Sequence, residues 1–142
     1  LADVVREAAE KGTPLLGICL GMQLLFEKSL EFGEHEGLSL LPGTVAPMEP
    51  RGLKIPHIGW NALSFPADRP KNALFRNTEP GECVYFVHSY HGTDCADAVT
   101  ATAEYGMTVT AAAARGNVYG TQFHPEKSGE TGLRILRAFC TL

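Results

Sequence analysis

No cluster of lysine or arginine occurs anywhere in the sequence, and its 12 Lys and Arg are outnumbered by 16 Asp and Glu, giving a formal net charge of −4 at pH 7. That balance argues against a nucleic-acid or anionic-membrane surface as the main function, since both need a concentrated positive field. No apolar run reaches the length of a membrane span, and the first residues do not read as a basic-then-apolar leader. The four cysteines, at positions 19, 83, 95 and 140, form no C-x-x-C pair. Neither a zinc spacing nor a dense disulfide framework is expected of them; they read as reduced thiols in a cytoplasmic protein. Repeats, low-complexity tracts and interdomain linkers are also missing. What is present is ordinary globular composition, 44% hydrophobic and 20% charged over 142 residues, enough for one domain, residues 1–142, with its own core. Nothing in the composition calls for a cofactor or metal.

The first eleven residues, LADVVREAAEK, carry Leu1, Val4, Val5 and Ala8 on one stripe and stop at Gly12, which predicts a helix already under way at Leu1 with no capping residue before it. LLGI, between Pro14 and Cys19, reads as a short buried strand, and the pattern from Leu20 to about Phe32 as a second helix. Helix, buried strand and helix in that order suggest an α/β unit with parallel pairing. Residues 33–43 read as loop. Beyond them GTVAPM, IGWNALS, CVYFVHS, VTATAEY, MTVTAAA and NVYGTQF are short β-type runs, with Tyr105-Gly106 as a tight link. Residues 66–82 suggest loop with a helical turn at NALF. GLRILRAF closes the chain as a docking helix on a Leu133, Leu136 and Phe139 stripe.

Cys19 stands in Gly17-Ile18-Cys19-Leu20-Gly21, which with Ser for Cys has the form of a nucleophile elbow. A sharp strand-to-helix turn pushes the side chain out of the sheet, and glycines let the backbone pass. The first helical amides would lower the thiol pKa, with the Leu20 N–H available to a developing oxyanion. The same spelling also fits a small buried thiol. Gln23, Glu27 and Glu31 follow Cys19 at four-residue steps, a polar row that fits either a substrate-binding face or a solvated one.

His124 ends the NVYGTQF run. Pro125 stiffens the segment, and Glu126 is placed to bond one ring nitrogen and leave the other free as a base. This is the base-and-orienter half of a triad, although a surface His beside a surface Glu has the same spelling. Sulfur and imidazole both fall at C-terminal strand ends, where open α/β sheets build their sites. Cys83, His88, His91 and Cys95 do not suggest a metal centre, because Cys83 and His88 differ by an odd number along a strand and face opposite ways. His35 and His57 read as loop residues.

GICLGMQLLFE around Cys19 and GTQFHPEKSG around His124 resemble the two signatures of the class I, or triad, glutamine amidotransferases. PHIGWN (residues 56–61) and VYFVHSY (residues 84–90) narrow the resemblance to the glutaminase subunits of imidazole glycerol phosphate synthases. The resemblance implies an open three-layer, flavodoxin-like α/β fold with a mixed, mainly parallel central sheet. It implies a triad of Cys19, His124 and Glu126 that releases ammonia from L-glutamine, with Leu20, Gln23, Glu31, Ser89 and Tyr90 at the substrate. It also implies a heterodimer in which ammonia passes to a (β/α)8-barrel cyclase, with Trp60 and Lys127 near the interface. No cofactor, nucleic acid or membrane enters this picture.

Two departures stand out. His91 replaces the tyrosine common after HSY in that family. The family's N-terminal strands, with a Pro-Gly-Val-Gly loop that supplies a second oxyanion donor, have no counterpart before Leu1. The expectation is therefore a fragment, inactive or insoluble by itself unless it belongs to a larger assembly. Three other functions fit parts of the pattern: another triad amidotransferase, opposed by the GWN and HSY segments; a related cysteine hydrolase such as a γ-glutamyl hydrolase, opposed by Gln23, Glu31 and the GWN segment; and a non-catalytic partner-binding domain, opposed by the intact Cys-His-Glu set.

Overall fold

The computed structural model describes residues 1–142. Its elements are α1 (Ala2–Glu10), β1 (Leu15–Ile18), α2 (Leu20–Leu24), β2 (Lys28–Ser29), β3 (His35–Glu36), β4 (Thr44–Pro47), β5 (His57–Ala62), β6 (Cys83–His88), β7 (Tyr90–Thr93), β8 (Val99–Glu104), β9 (Thr108–Arg115), β10 (Val118–Thr121) and α3 (Gly129–Cys140). Short 3-10 turns at Ala73–Phe75, Ala96–Ala98 and Pro125–Lys127 complete the chain.

Strand order β1-β10-β9-β8 forms one sheet, β3-β2-β4-β7 a second, and β5-β6 a two-stranded third. Alternate residues of the first sheet point to opposite faces. Leu15, Val118 and Ala113 pack with Val5, Ala9, Met22 and Leu25 of α1 and the α2 region. Leu16, Tyr119 and Ala112 pack with Ile135 and Phe139 of α3. Helices therefore cover both faces, which gives the three layers the resemblance implies. The pairing is mixed, but only β1–β10 and β2–β4 are parallel; the others are antiparallel. The cause lies in the connections. Tyr105-Gly106 and Gly116-Asn117 are too short for a crossover and fold β8–β9 and β9–β10 into hairpins, with Gly106 and Gly116 at φ of +66° and +60°.

Several expectations are corrected. The helix after Cys19 ends at Leu24, not near Phe32. Leu25 and Phe26 carry the helical apolar pattern, yet they are buried under residues 37–41, whose amides take the carbonyls of Leu24, Leu25, Phe26 and Glu27. With those acceptors claimed, the chain turns and Lys28–Ser29 joins a sheet. Gln23, Glu27 and Glu31 therefore share no helical face; the Glu27 carboxylate instead accepts the Gly43 N–H at 2.8 Å. On α3 the buried face is Gly132, Ile135 and Ala138, while Leu133 is exposed. Gly132 fixes that face, because a Cβ there would lie 1.9 Å from the Pro125 carbonyl oxygen. His57 is no loop residue; it opens β5 and is fully buried.

Candidate active site

β1 and β10 run parallel with Ile18 opposite Thr121, and the Cys19 N–H extends their ladder by donating to the Thr121 carbonyl at 2.7 Å. The chain then turns into α2 with Cys19 at φ 52°, ψ −107°. This is a costly conformation for a residue with a side chain, and one that clusters at functional sites. Gly17 makes the turn feasible: a Cβ there would lie 2.7 Å from the Gly21 carbonyl carbon and 2.8 Å from the Met22 nitrogen.

The Cys19 thiol donates to the Val87 carbonyl (3.8 Å) and its sulfur accepts from the Gln122 side-chain amide (3.7 Å). Two residues back on β6, the Tyr85 carbonyl accepts the His124 N–H at 3.0 Å. Sulfur and histidine backbone are thus anchored at neighbouring same-side stations of one strand, about 7 Å apart. The imidazole Nδ1 lies 2.8 Å from a Glu126 carboxylate oxygen. Ser128 ties this turn to the strand: its hydroxyl donates to the His124 carbonyl at 2.6 Å and accepts the Tyr85 N–H at 3.0 Å.

Burial pushes the Cys19 thiol above its ordinary pKa. The Leu20 amide and the Gln122 side chain oppose that rise, Glu126 adds to it, and Lys127 counters it. The sequence expectation had the opposite net sign. A helix of five residues offers the sulfur its first amide but too small a dipole to outweigh desolvation.

Gln23 joins the cluster: its side-chain nitrogen donates to the Tyr90 carbonyl and to the Gln122 side-chain oxygen, both at 3.2 Å. Donors therefore run in one direction, from Gln23 to Gln122 to the sulfur. Tyr90 and Ser89 border this cluster through the backbone, the Ser89 carbonyl accepting from Met48. Glu31 stands apart on the turn after β2, its N–H donating to the Ser29 hydroxyl at 3.2 Å. Leu30 nevertheless bonds the Val45 carbonyl of β4, whose Pro47 pairs with Tyr90, so this turn borders the same strands. Trp60, more than half exposed, pairs with Tyr85 across β5–β6, ring centroids 5.9 Å apart. Lys127 is exposed, its N–H donating to the His124 carbonyl. Trp60 thus meets Tyr85 from one edge of β6, and the turn carrying Lys127 bonds Tyr85 from the other.

Sequence reasoning missed Gln122, fully buried and the only side chain donating to the sulfur. An amide just past the end of a short β-type run, two residues before His124, was the available signal. It also missed Ser128, and the buried contact between His57 and His88, whose ring nitrogens lie 3.0 Å apart. His91, also buried, accepts the Thr110 N–H at 3.5 Å on the far side of Tyr90. Cys83 is exposed and His88 buried, on opposite faces as their spacing requires.

A strand-to-helix cysteine elbow, a carboxylate-backed histidine just beyond the end of the adjacent strand and an α/β core covered on both sides define a class. Residues 1–141 match the model of the family "Glutamine amidotransferase class-I", and the chain belongs to that family. Among curated relatives it is 51% identical over 140 residues to imidazole glycerol phosphate synthase subunit HisH of Moorella thermoacetica, spanning 98% of this chain and 65% of that one. It is likewise 51% identical over 148 residues to the protein of the same name from a Geobacillus species, spanning 100% of this chain and 68% of that one. The chain thus spans about two thirds of the length of these relatives. Among solved structures, PurLQS from Thermotoga maritima matches with a TM-score of 0.73 at 22% identity, over 99% of this chain and 66% of that one. A glutamine amidotransferase from the same organism matches at 0.63 and 23% identity, over 99% of this chain and 52% of that one. At that identity the structural likeness is one of fold. No helix here is long and apolar enough to cross a membrane.

Proposed function

We propose that residues 1–142 act as one glutamine amidotransferase domain, in the cytoplasm and without a cofactor, that hydrolyses L-glutamine and delivers the ammonia to a (β/α)8-barrel cyclase making imidazole glycerol phosphate in histidine biosynthesis. The observation carrying this reading is the Cys19 sulfur and the Glu126-backed His124 at neighbouring stations of β6. Half identity to the HisH subunits narrows the reaction.

In this reading His124 takes the proton of the Cys19 thiol and the thiolate attacks the side-chain carbonyl carbon of glutamine. The Leu20 N–H donates to the oxygen that becomes negative. His124 returns the proton to the departing nitrogen, which leaves as ammonia, and the acyl group stays on sulfur as a thioester. Water, deprotonated by His124, then cleaves the thioester to glutamate and regenerates the thiol. Glu126 holds the ring and stabilises its cationic form. Gln23, Glu31, Ser89 and Tyr90 bind the substrate, and Trp60 and Lys127 meet the cyclase. A raised thiol pKa suits this sequence of steps, because an uncharged resting sulfur makes proton removal by His124 obligatory.

Labelling with a glutamine-like electrophile, with and without the cyclase, tests the reading. Selective modification of Cys19 among the four thiols, abolished by His124→Ala, is expected. Equal labelling of all four cysteines would defeat it.

A further inference from the structure

A continuous polar path leaves the sulfur in the other direction. From Gln23 it reaches the Tyr90 carbonyl, which lies 2.9 Å from the His88 Nδ1. The His88 Nε2 lies 3.0 Å from the His57 Nδ1, and the His57 Nε2 lies 2.7 Å from the Asn61 side-chain oxygen. Asn61 donates its amide nitrogen to the Glu104 carbonyl at 3.0 Å, which fixes the orientation of its oxygen. Both rings are buried, and His57 is stacked between Tyr105 and Phe86 at centroid distances of 3.9 and 4.9 Å, so it cannot turn away.

We propose that Asn61, His57 and His88 are positioning residues that act through a choice between two tautomers of the histidine pair, setting whether the Tyr90 carbonyl beside Gln23 receives one donor or two. The argument is a count of protons. The path has three contacts, N to O, N to N and N to O, and each needs one hydrogen. Two neutral imidazoles carry two. Burial holds the His57 pKa below its ordinary value and the His88 pKa at about 4, so the pair is neutral near pH 7. The other titratable groups around the two rings are His91, Tyr90 and Tyr105, and no carboxylate or cationic side chain bonds either ring.

One contact must therefore lack its hydrogen. With protons on both Nε2 atoms, His57 serves Asn61, His88 serves His57, and the Tyr90 carbonyl faces a bare Nδ1 and has Gln23 as its one side-chain donor. With protons on both Nδ1 atoms, His57 serves His88 and His88 serves the Tyr90 carbonyl, and the bare nitrogen faces Asn61. The amide orientation at Asn61 selects the first state, and the 2.9 Å contact at Tyr90 suits the second. Two such states biased from opposite ends make a coupled element in the physical sense. Asn61 neighbours the exposed Trp60, so whatever engages that strand can reach the sulfur through the pair. The link to glutamine rests on the function proposed above; the tautomer choice does not.

The test is nitrogen-15 NMR of the ring nitrogens in this chain near pH 7, with Asn61→Leu beside the unsubstituted protein. One bare outer nitrogen is expected across the pair in the unsubstituted protein. Asn61→Leu removes the outer acceptor and should move the His88 proton to Nδ1. A second donor on Tyr90 then slackens Gln23 and, through it, the Gln122 donor on sulfur, so alkylation of Cys19 by iodoacetamide should slow at least threefold. Protons on both outer nitrogens of the unsubstituted protein would overturn the proposal, a result that does not depend on the variant folding. An unchanged His88 tautomer or unchanged Cys19 rate in a folded Asn61→Leu protein would do the same. Glutamine hydrolysis with the cyclase is a separate arm: its absence counts against the proposed function and leaves the tautomer result standing.

Discussion

Gly17 and Gly21 flank Cys19 in a symmetrical spelling, yet the structure gives them opposite roles, and substituting each by alanine separates them. A methyl group at Gly17 meets the Gly21 carbonyl carbon and oxygen at 2.7 Å and the Met22 nitrogen at 2.8 Å, all backbone, where ordinary contact begins near 3.4 Å. No rotamer change relieves this; β1 and α2 must part by roughly 0.6 Å or the chain must strain. Overpacking of this kind costs about 1–3 kcal/mol, and the rigidity on both sides places Gly17→Ala near about 3. For a chain of this size that is a melting-temperature loss on the order of 10 °C. Gly21 has no heavy atom within 4 Å of a built Cβ and lies inside α2. Gly21→Ala therefore gains roughly 0.5–1 kcal/mol of helix propensity. Urea midpoints report the stabilities, and Cys19 alkylation reports the displacement of α2, because the Leu20 amide moves with it. Equal losses from the two substitutions, or a Gly17→Ala protein as stable and reactive as the parent, would refute the reasoning.

Three further outcomes follow from the same contacts. On α3, Ile135→Ala should cost about 2–5 kcal/mol by opening a cavity, and Leu133→Ala less than about 0.5 kcal/mol, since Ile135 is fully buried and Leu133 is 40% exposed; denaturant melts of the two variants check the helix face. Glu82, bonded by the Arg134 guanidinium, has its carboxyl lowered to about 2. Its contribution is therefore fully present above the unfolded carboxyl value and lost as pH falls toward 2, and Glu82→Gln should flatten that acid limb of a stability-against-pH curve. Burial raises the Cys19 thiol pKa and Gln122 opposes the rise, so iodoacetamide labelling of Cys19 should reach half its maximal rate at a higher pH than free cysteine does, and Gln122→Leu should move that midpoint higher still.

What could be read from the sequence follows from where each constraint lies along the chain. The Cys19 elbow and the His124-Pro125-Glu126 turn are built from neighbours, and both were legible because local backbone chemistry determines them. The length of α2 was not, because it is decided by residues 37–41 capturing carbonyls some fifteen positions away. The face of α3 followed a similar rule: periodicity named Leu133, and one contact between Gly132 and the Pro125 carbonyl rotated the helix past it.

Gln122, His57 and His88 show where legibility ends. Each is polar and buried, so its meaning lies in a partner that the linear order does not name; Gln122 meets Gln23 across 99 positions and His57 meets His88 across 31. A buried polar group without a partner is expensive, so every buried amide or imidazole at a strand end implies a second residue elsewhere. Around Cys19 those implied partners turn out to be one another. The sulfur's hydrogen bonds are all with uncharged groups, and a path of neutral donors and acceptors reaches it from Asn61's strand through rings that hold one proton too few. That shortage couples an exposed strand to a half-buried thiol without moving the backbone, and it explains why the polar residues hardest to interpret singly are found on one path.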